Sequence, residues 1–126
     1  MTDTRIKLKG LARLLAAVGN SLKGFSGCWR EEAAFRQELA LALVVMPLGV
    51  YLGHTPLEQI ALVVPMALIL IVEILNSAIE AAIDRISVDQ HPLSGLAKDL
   101  GSAAVMLAFF ILLFCWAVIL LPRVWG

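Results

Sequence analysis

The feature that most constrains the fold is a run from residue 100 to residue 121 that contains no charged residue. A helix needs roughly 20 apolar residues to cross the hydrocarbon core of a bilayer, so this run predicts a membrane-spanning helix unaided. Two shorter charge-free runs, 39–52 and 60–72, precede it. Hydrophobic residues make up 60% of the 126-residue chain, and their concentration in three runs indicates a membrane protein.

The pattern predicts an all-α membrane protein with one domain, residues 1–126. Residues 5–27 interleave basic and apolar side chains, which is typical of an amphipathic helix lying on a bilayer surface. A helix packed on the rest of the protein would carry the same pattern. Gly24 and Gly27 are expected to end this helix. A tight turn is predicted at 53–56 and a loop at 88–94. They separate three membrane helices, which are predicted at about 30–52, 57–86 and 94–121.

The distribution of basic residues predicts the orientation in the membrane. Lysine and arginine are concentrated in the N-terminal segment and at 85–98, whereas the 53–56 turn contains none. The positive-inside rule then places the N-terminus and the 84–98 region in the cytosol and the C-terminus on the outer side. The formal net charge of the chain is zero, which gives no support to nucleic-acid binding.

The second predicted span ends in a stripe of polar side chains. These residues recur at steps of three, four and seven, so they share one face of a helix. A carboxylate that follows an apolar run is costly, by about 2.5–3.5 kcal/mol at mid-bilayer and less near the edge. A divalent cation would relieve this cost and the repulsion between carboxylates, although polar residues also serve to join membrane helices. The stripe consists of Glu73, Asn76, Ser77, Glu80 and Asp84.

The first predicted span brings charges to the same membrane edge. Glu32, Arg36 and Glu38 enter the bilayer there, because both helices meet the cytosolic surface. Glu32 and Arg36 are four residues apart and can simply pair. Alternatively, Glu32 joins Glu80 in holding a metal ion.

The last predicted span begins with Lys98 and Asp99 at this interface. Lys98 can form a salt bridge with Asp84, or it can bind a phosphate as a compact point charge. Carboxylates favour Mg²⁺, and a cation with a lysine suits polyphosphate chemistry. Neither a Walker loop nor a kinase-type glycine loop occurs in the sequence.

Three blocks of the sequence closely resemble the prokaryotic diacylglycerol kinase family. They are residues 32–38, residues 73–80 with the Asp84–Arg85 pair, and residues 97–105. The block at 73–80, Glu-Ile-Leu-Asn-Ser-Ala-Ile-Glu, is highly specific. The chain length, the surface helix and the three spans also match, so the resemblance covers nearly the whole chain.

The resemblance implies a homotrimer in the bacterial inner membrane, with the C-terminus in the periplasm. It implies active sites between subunits at the cytosolic interface, which transfer the γ-phosphate of MgATP to diacylglycerol and form phosphatidic acid. By position, Glu73 resembles the general base, and Glu32 and Glu80 resemble the ligands of Mg²⁺. The implied ATP-binding residues are Asn20, Glu32, Asn76, Glu80, Lys98 and Asp99, and the implied lipid-substrate residues are Arg13, Ser21, Glu73 and Ser102.

Two positions depart from the family pattern. Ala16 and Asn20 stand where a basic and an aromatic residue are expected, which affects the contacts of the surface helix rather than the carboxylates. Three other functions remain open. A polyprenol (undecaprenol) kinase belongs to the same family, and a small proton-coupled transporter would use one membrane glutamate. A membrane adaptor would leave the polar stripe unexplained.

Overall fold

The computed structural model describes residues 9–86 and 89–125, and these form four α-helices, as predicted. The last three helices are long and apolar enough to cross a membrane. The chain divides into two compact units, one containing α1 and the other containing α2, α3 and α4. The helices are α1 (Leu11–Glu31), α2 (Ala33–Leu52), α3 (Pro56–Ile86) and α4 (Pro92–Trp125).

The first unit contains α1, which is amphipathic but longer at its C-terminal end than predicted. The expected end at Gly24 and Gly27 is wrong, because the helix continues to Glu31. A glycine inside a helix costs only about 1 kcal/mol relative to alanine and keeps its backbone hydrogen bonds, so two glycines do not suffice to end it. Residues 5–8 of the predicted surface helix lie outside the described residues. Exposed apolar side chains follow helical spacing at Leu11, Leu14, Leu15, Val18, Leu22 and Phe25.

The second unit begins at Glu32, whose backbone is extended, with φ −118° and ψ 105°. Helix α2 therefore starts at Ala33 rather than near residue 30. The Arg36 amide donates to the Glu32 carbonyl at 3.3 Å and closes the first turn. The charged residues predicted at the start of the first span thus occupy the N-terminal turns of α2.

The predicted tight turn at 53–56 is confirmed, and its hydrogen bonds explain how α3 begins. The Glu58 amide donates to Thr55 Oγ1 at 3.2 Å, and the His54 amide donates to Glu58 Oε1 at 2.9 Å. Pro56 is the first residue of α3, where its missing N–H costs nothing. A Cβ on Gly53 would lie 2.6 Å from Gln59 Cγ, so this turn requires glycine.

Helix α3 packs against both α2 and α4 and supplies the centre of the core. Leu62, Met66 and Ile69 are fully buried, and their spacing of four and three residues places them on one face. Most other large apolar side chains of these helices are exposed, as expected for helices that can face lipid. The buried cluster consists of Ala42, Met66, Ile69, Ala108 and Leu112.

Helix α4 is tied to the turn between α2 and α3 at its C-terminal end. Arg123 donates hydrogen bonds to the Leu52 carbonyl at 2.6 Å and to the Glu58 carboxylate. The Trp116 indole N–H donates to the Leu62 carbonyl at 2.9 Å. These contacts fix the end of the unit that lies opposite the polar stripe.

Candidate active site

The polar stripe on α3 continues the buried face of the same helix. Glu73 follows Ile69 by four residues and is only 5% exposed, so a carboxyl group occupies the next core position. Burial of a carboxylate without partners is strongly unfavourable. The residues around Glu73 must therefore provide it with a specific environment.

Glu38 on α2 is the direct neighbour of Glu73. It is 9% exposed, and its carboxyl group is hydrogen-bonded to that of Glu73. Glu38 Oε2 is buried and has no hydrogen-bond partner among the described residues.

The sequence places Glu38 at the same predicted membrane edge as Glu73 but assigns it no role. A signal was available, since Phe35, Glu38 and Ala42 are buried at spacings of three and four on one face of α2. A carboxylate at an otherwise apolar core position is a candidate functional residue. The register of α2 against α3, which pairs Glu38 with Glu73, could not be obtained from the sequence.

Glu32 and Glu80 lie within electrostatic range of Glu73. Glu32 precedes α2 and makes no side-chain capping bond, and Glu80 is two turns further along α3 than Glu73. Both side chains are half-buried. Two further carboxylates, one just before α2 and one on α3, therefore lie near the buried Glu38–Glu73 pair.

Asn76 lies against α4 at Gly101. A Cβ on Gly101 would be 1.9 Å from Asn76 Oδ1, which indicates a very close approach of the amide to the α4 backbone. The same oxygen is buried and has no hydrogen-bond partner in the described part of the chain. Asn76 therefore packs against α4, and its amide oxygen accepts no hydrogen bond from the described residues.

Lys98 and Asp84 form the salt bridge that was one of the two predicted alternatives. Lys98 Nζ lies 2.9 Å from Asp84 Oδ1, and the side chains are 43% and 66% exposed. A cleft of about 580 Å³ lies beside this pair and is lined also by residues of the turn between α3 and α4. At this exposure the pair contributes little to stability, so Lys98 can exchange partners readily.

The remaining predicted site residues are exposed. Asp99 and Ser102 lie on α4 near Lys98 in sequence, and both are open to solvent. Arg13, Asn20 and Ser21 belong to α1, where the Ser21 hydroxyl donates to the Ala17 carbonyl at 2.8 Å. Their roles stay predictions.

Fold and site together define the class: a helical membrane protein in which carboxylates, an amide and a lysine gather toward one end of the apolar helices. Residues 19–120 match the family model described as prokaryotic diacylglycerol kinase. The chain belongs to this family.

Curated relatives from several bacteria carry the name diacylglycerol kinase. The Pseudomonas aeruginosa protein is 48% identical over 112 residues, which cover 89% of this chain and 91% of the relative. The Escherichia coli K12 protein is 43% identical over 111 residues, covering 88% and 91%. The Haemophilus influenzae protein is 41% identical over 114 residues, covering 90% and 97%.

Proposed function

We propose that this chain transfers the γ-phosphate of ATP to the hydroxyl group of diacylglycerol and so forms phosphatidic acid. The family and the names of the relatives support the reaction class. The observation that carries the assignment of the site is Glu73, a carboxyl group at a core position of a membrane helix, only 5% exposed and bonded to a second carboxyl. A structural helix contact alone does not require such an expensive group.

Glu73 is the proposed general base. It accepts the proton of the lipid hydroxyl as that oxygen bonds to the γ-phosphorus and the bond to the departing ADP oxygen breaks. Glu38 orients Glu73 through the carboxyl–carboxyl hydrogen bond. A base at this depth suits a lipid substrate, which enters sideways from the leaflet and need not leave the membrane.

The carboxylates around Glu73 fit a magnesium ion that arrives with the nucleotide. Within residues 9–86 and 89–125, no three His, Cys, Asp or Glu side chains form a cluster that could hold a metal by protein alone. Mg²⁺ commonly binds through one or two carboxylates plus substrate phosphates, a role that Glu32 and Glu80 can fill. When bound, Mg²⁺ neutralises charge on the phosphates.

Lys98 is the proposed contact to the phosphates of ATP. Its salt bridge to Asp84 is exposed, so a polyphosphate can compete for the ammonium group. We assign Asn76 and Asp99 to the same nucleotide, together with Asn20 of α1. Arg13, Ser21 and Ser102 are assigned to the lipid.

The cellular setting follows the same reasoning. We assign the chain to the bacterial inner membrane with a cytosolic N-terminus and a periplasmic C-terminus, from the lysine and arginine distribution. The apolar stripe of α1 suits a helix on the cytosolic surface. The exposed apolar side chains of α2, α3 and α4 leave ample surface for a homotrimer as well as for lipid.

The test is transfer of labelled γ-phosphate by the purified chain in mixed micelles with MgATP and either diacylglycerol or undecaprenol. We expect Mg²⁺-dependent labelling of diacylglycerol, at a higher rate than that of undecaprenol. Equal or faster labelling of undecaprenol would reassign the substrate to polyprenols. Absence of lipid-dependent ATP consumption would refute the kinase function and favour the alternative of a proton-coupled transporter.

A further inference from the structure

Gly101 is the only described glycine of α4 that meets a neighbouring side chain. An added Cβ would lie 1.9 Å from Asn76 Oδ1 and 2.9 Å from Asn76 Cγ. Gly95, in the same helix, has nothing within 4 Å of its added Cβ. The contact at Gly101 is therefore specific to the amide of Asn76.

Glycine at this position carries a cost that the helix alone does not explain. In a helix interior glycine is less favourable than alanine. A buried amide oxygen without a hydrogen-bond donor is a second unfavourable feature. Both unfavourable features occur at the contact of Gly101 with Asn76. On α3, Asn76 lies one turn from Glu73 and four residues before Glu80.

We propose that Gly101 is a positioning residue of the phosphoryl-transfer site. Its bare Cα admits the Asn76 amide between α3 and α4, with the amide oxygen buried against α4, and so fixes the orientation of the amide toward the ligands of the site. This inference rests on the proposed function, because the ligands in question are those of the kinase reaction. Gly101 itself touches no reacting group and acts through Asn76.

An alanine at this position must displace the Asn76 side chain. A real Cβ does not approach another heavy atom to 1.9 Å, so either the amide rotates away or the two helices separate. In both cases Asn76 loses its place beside Glu73 and Glu80. If the amide is already absent, the alanine has nothing to displace.

The test is a double-mutant cycle with Gly101→Ala and Asn76→Ala, measuring kcat and KM for MgATP in micelles together with thermal stability. We expect each single variant to lower kcat/KM by about tenfold or more, mainly through KM for MgATP. The double variant should fall within about twofold of Asn76→Ala alone, since residues that act through one contact are not additive.

Gly49→Ala is the matched control, because Gly49 of α2 also packs closely against a neighbouring helix. Its added Cβ would lie 3.0 Å from Leu62 Cβ and 3.2 Å from the Leu62 backbone carbon, away from the carboxylates. It should reduce thermal stability with little change in KM for MgATP. In a variant that carries both Gly49→Ala and Asn76→Ala, the two effects on kcat/KM should multiply, because the two sites share no contact.

Full activity of Gly101→Ala, or effects of Gly101→Ala and Asn76→Ala that simply multiply, would overturn the inference. If Gly101→Ala does not fold, recovery of folded protein in the double variant supports the contact, and failure to recover overturns it. Wild-type protein without kinase activity would instead refute the proposed function itself, and the positioning role with it.

Discussion

Replacement of Glu38 by leucine tests whether the carboxyl pair orients the base. Leucine has a similar volume and removes the hydrogen bond to Glu73. A hydrogen bond to a charged group contributes about 1.5–3 kcal/mol. At about 1.4 kcal/mol per factor of ten, its loss in the transition state lowers kcat by roughly 10- to 150-fold.

The same substitution should leave the fold intact. Glu38 is 9% exposed and its Oε2 has no hydrogen-bond partner among the described residues, so an apolar side chain removes a buried polar atom that the protein does not satisfy. The same change leaves the buried Glu73 carboxyl without this partner, so we expect the two effects largely to offset each other and thermal stability to stay close to that of the wild type. A fall in turnover then reflects the site and not unfolding.

Glu38→Gln is the control variant, because its amide still donates to Glu73. We expect it to keep kcat within about threefold of the wild type, while both variants keep KM for MgATP nearly unchanged. The assay is transfer of labelled phosphate to diacylglycerol in micelles at saturating lipid. Near-normal kcat in Glu38→Leu, with the protein folded, would refute an orienting role for Glu38.

Two further predictions separate binding from stability. Lys98→Met should raise KM for MgATP by about tenfold or more. Asp84→Asn, which breaks the same exposed salt bridge, should change this KM by less than about threefold. Equal effects of the two variants would mean that the salt bridge, and not phosphate binding by Lys98, determines the KM for MgATP. Arg123→Ala removes the bonds to Leu52 and Glu58, both at partly exposed positions, and should lower thermal stability modestly because solvent screens these bonds. Its kcat should stay at the wild-type level once folded, and a selective loss of kcat in thermally stable protein would contradict a purely structural role.

The sequence was sufficient for the helices and for the polar stripe because both depend on local periodicity. Apolar runs of membrane length predicted the long helices, and steps of three and four placed Glu73 and Glu80 on one face. The Lys98–Asp84 salt bridge was also among the predicted alternatives, since both residues flank one short turn. These features require no knowledge of how one helix packs on another.

Contacts between helices could not be obtained in this way. The hydrogen bond of Glu38 to Glu73 depends on the register of α2 against α3, and the approach of Asn76 to Gly101 depends on that of α3 against α4. The end of α1 was predicted too early because glycine weakens a helix without necessarily ending it. The break occurs instead at Glu32, whose side chain gives no local capping signal.

The central claim is that Glu73 accepts the proton of the lipid hydroxyl, and Glu73→Gln tests it most directly. Glutamine keeps the size of the side chain but cannot take the proton. Single-turnover phosphate transfer to diacylglycerol should fall by about 10²- to 10⁴-fold, while equilibrium binding of MgATP is retained. Glu80→Gln, in contrast, should weaken MgATP binding as well. Near-normal transfer by Glu73→Gln would contradict the account.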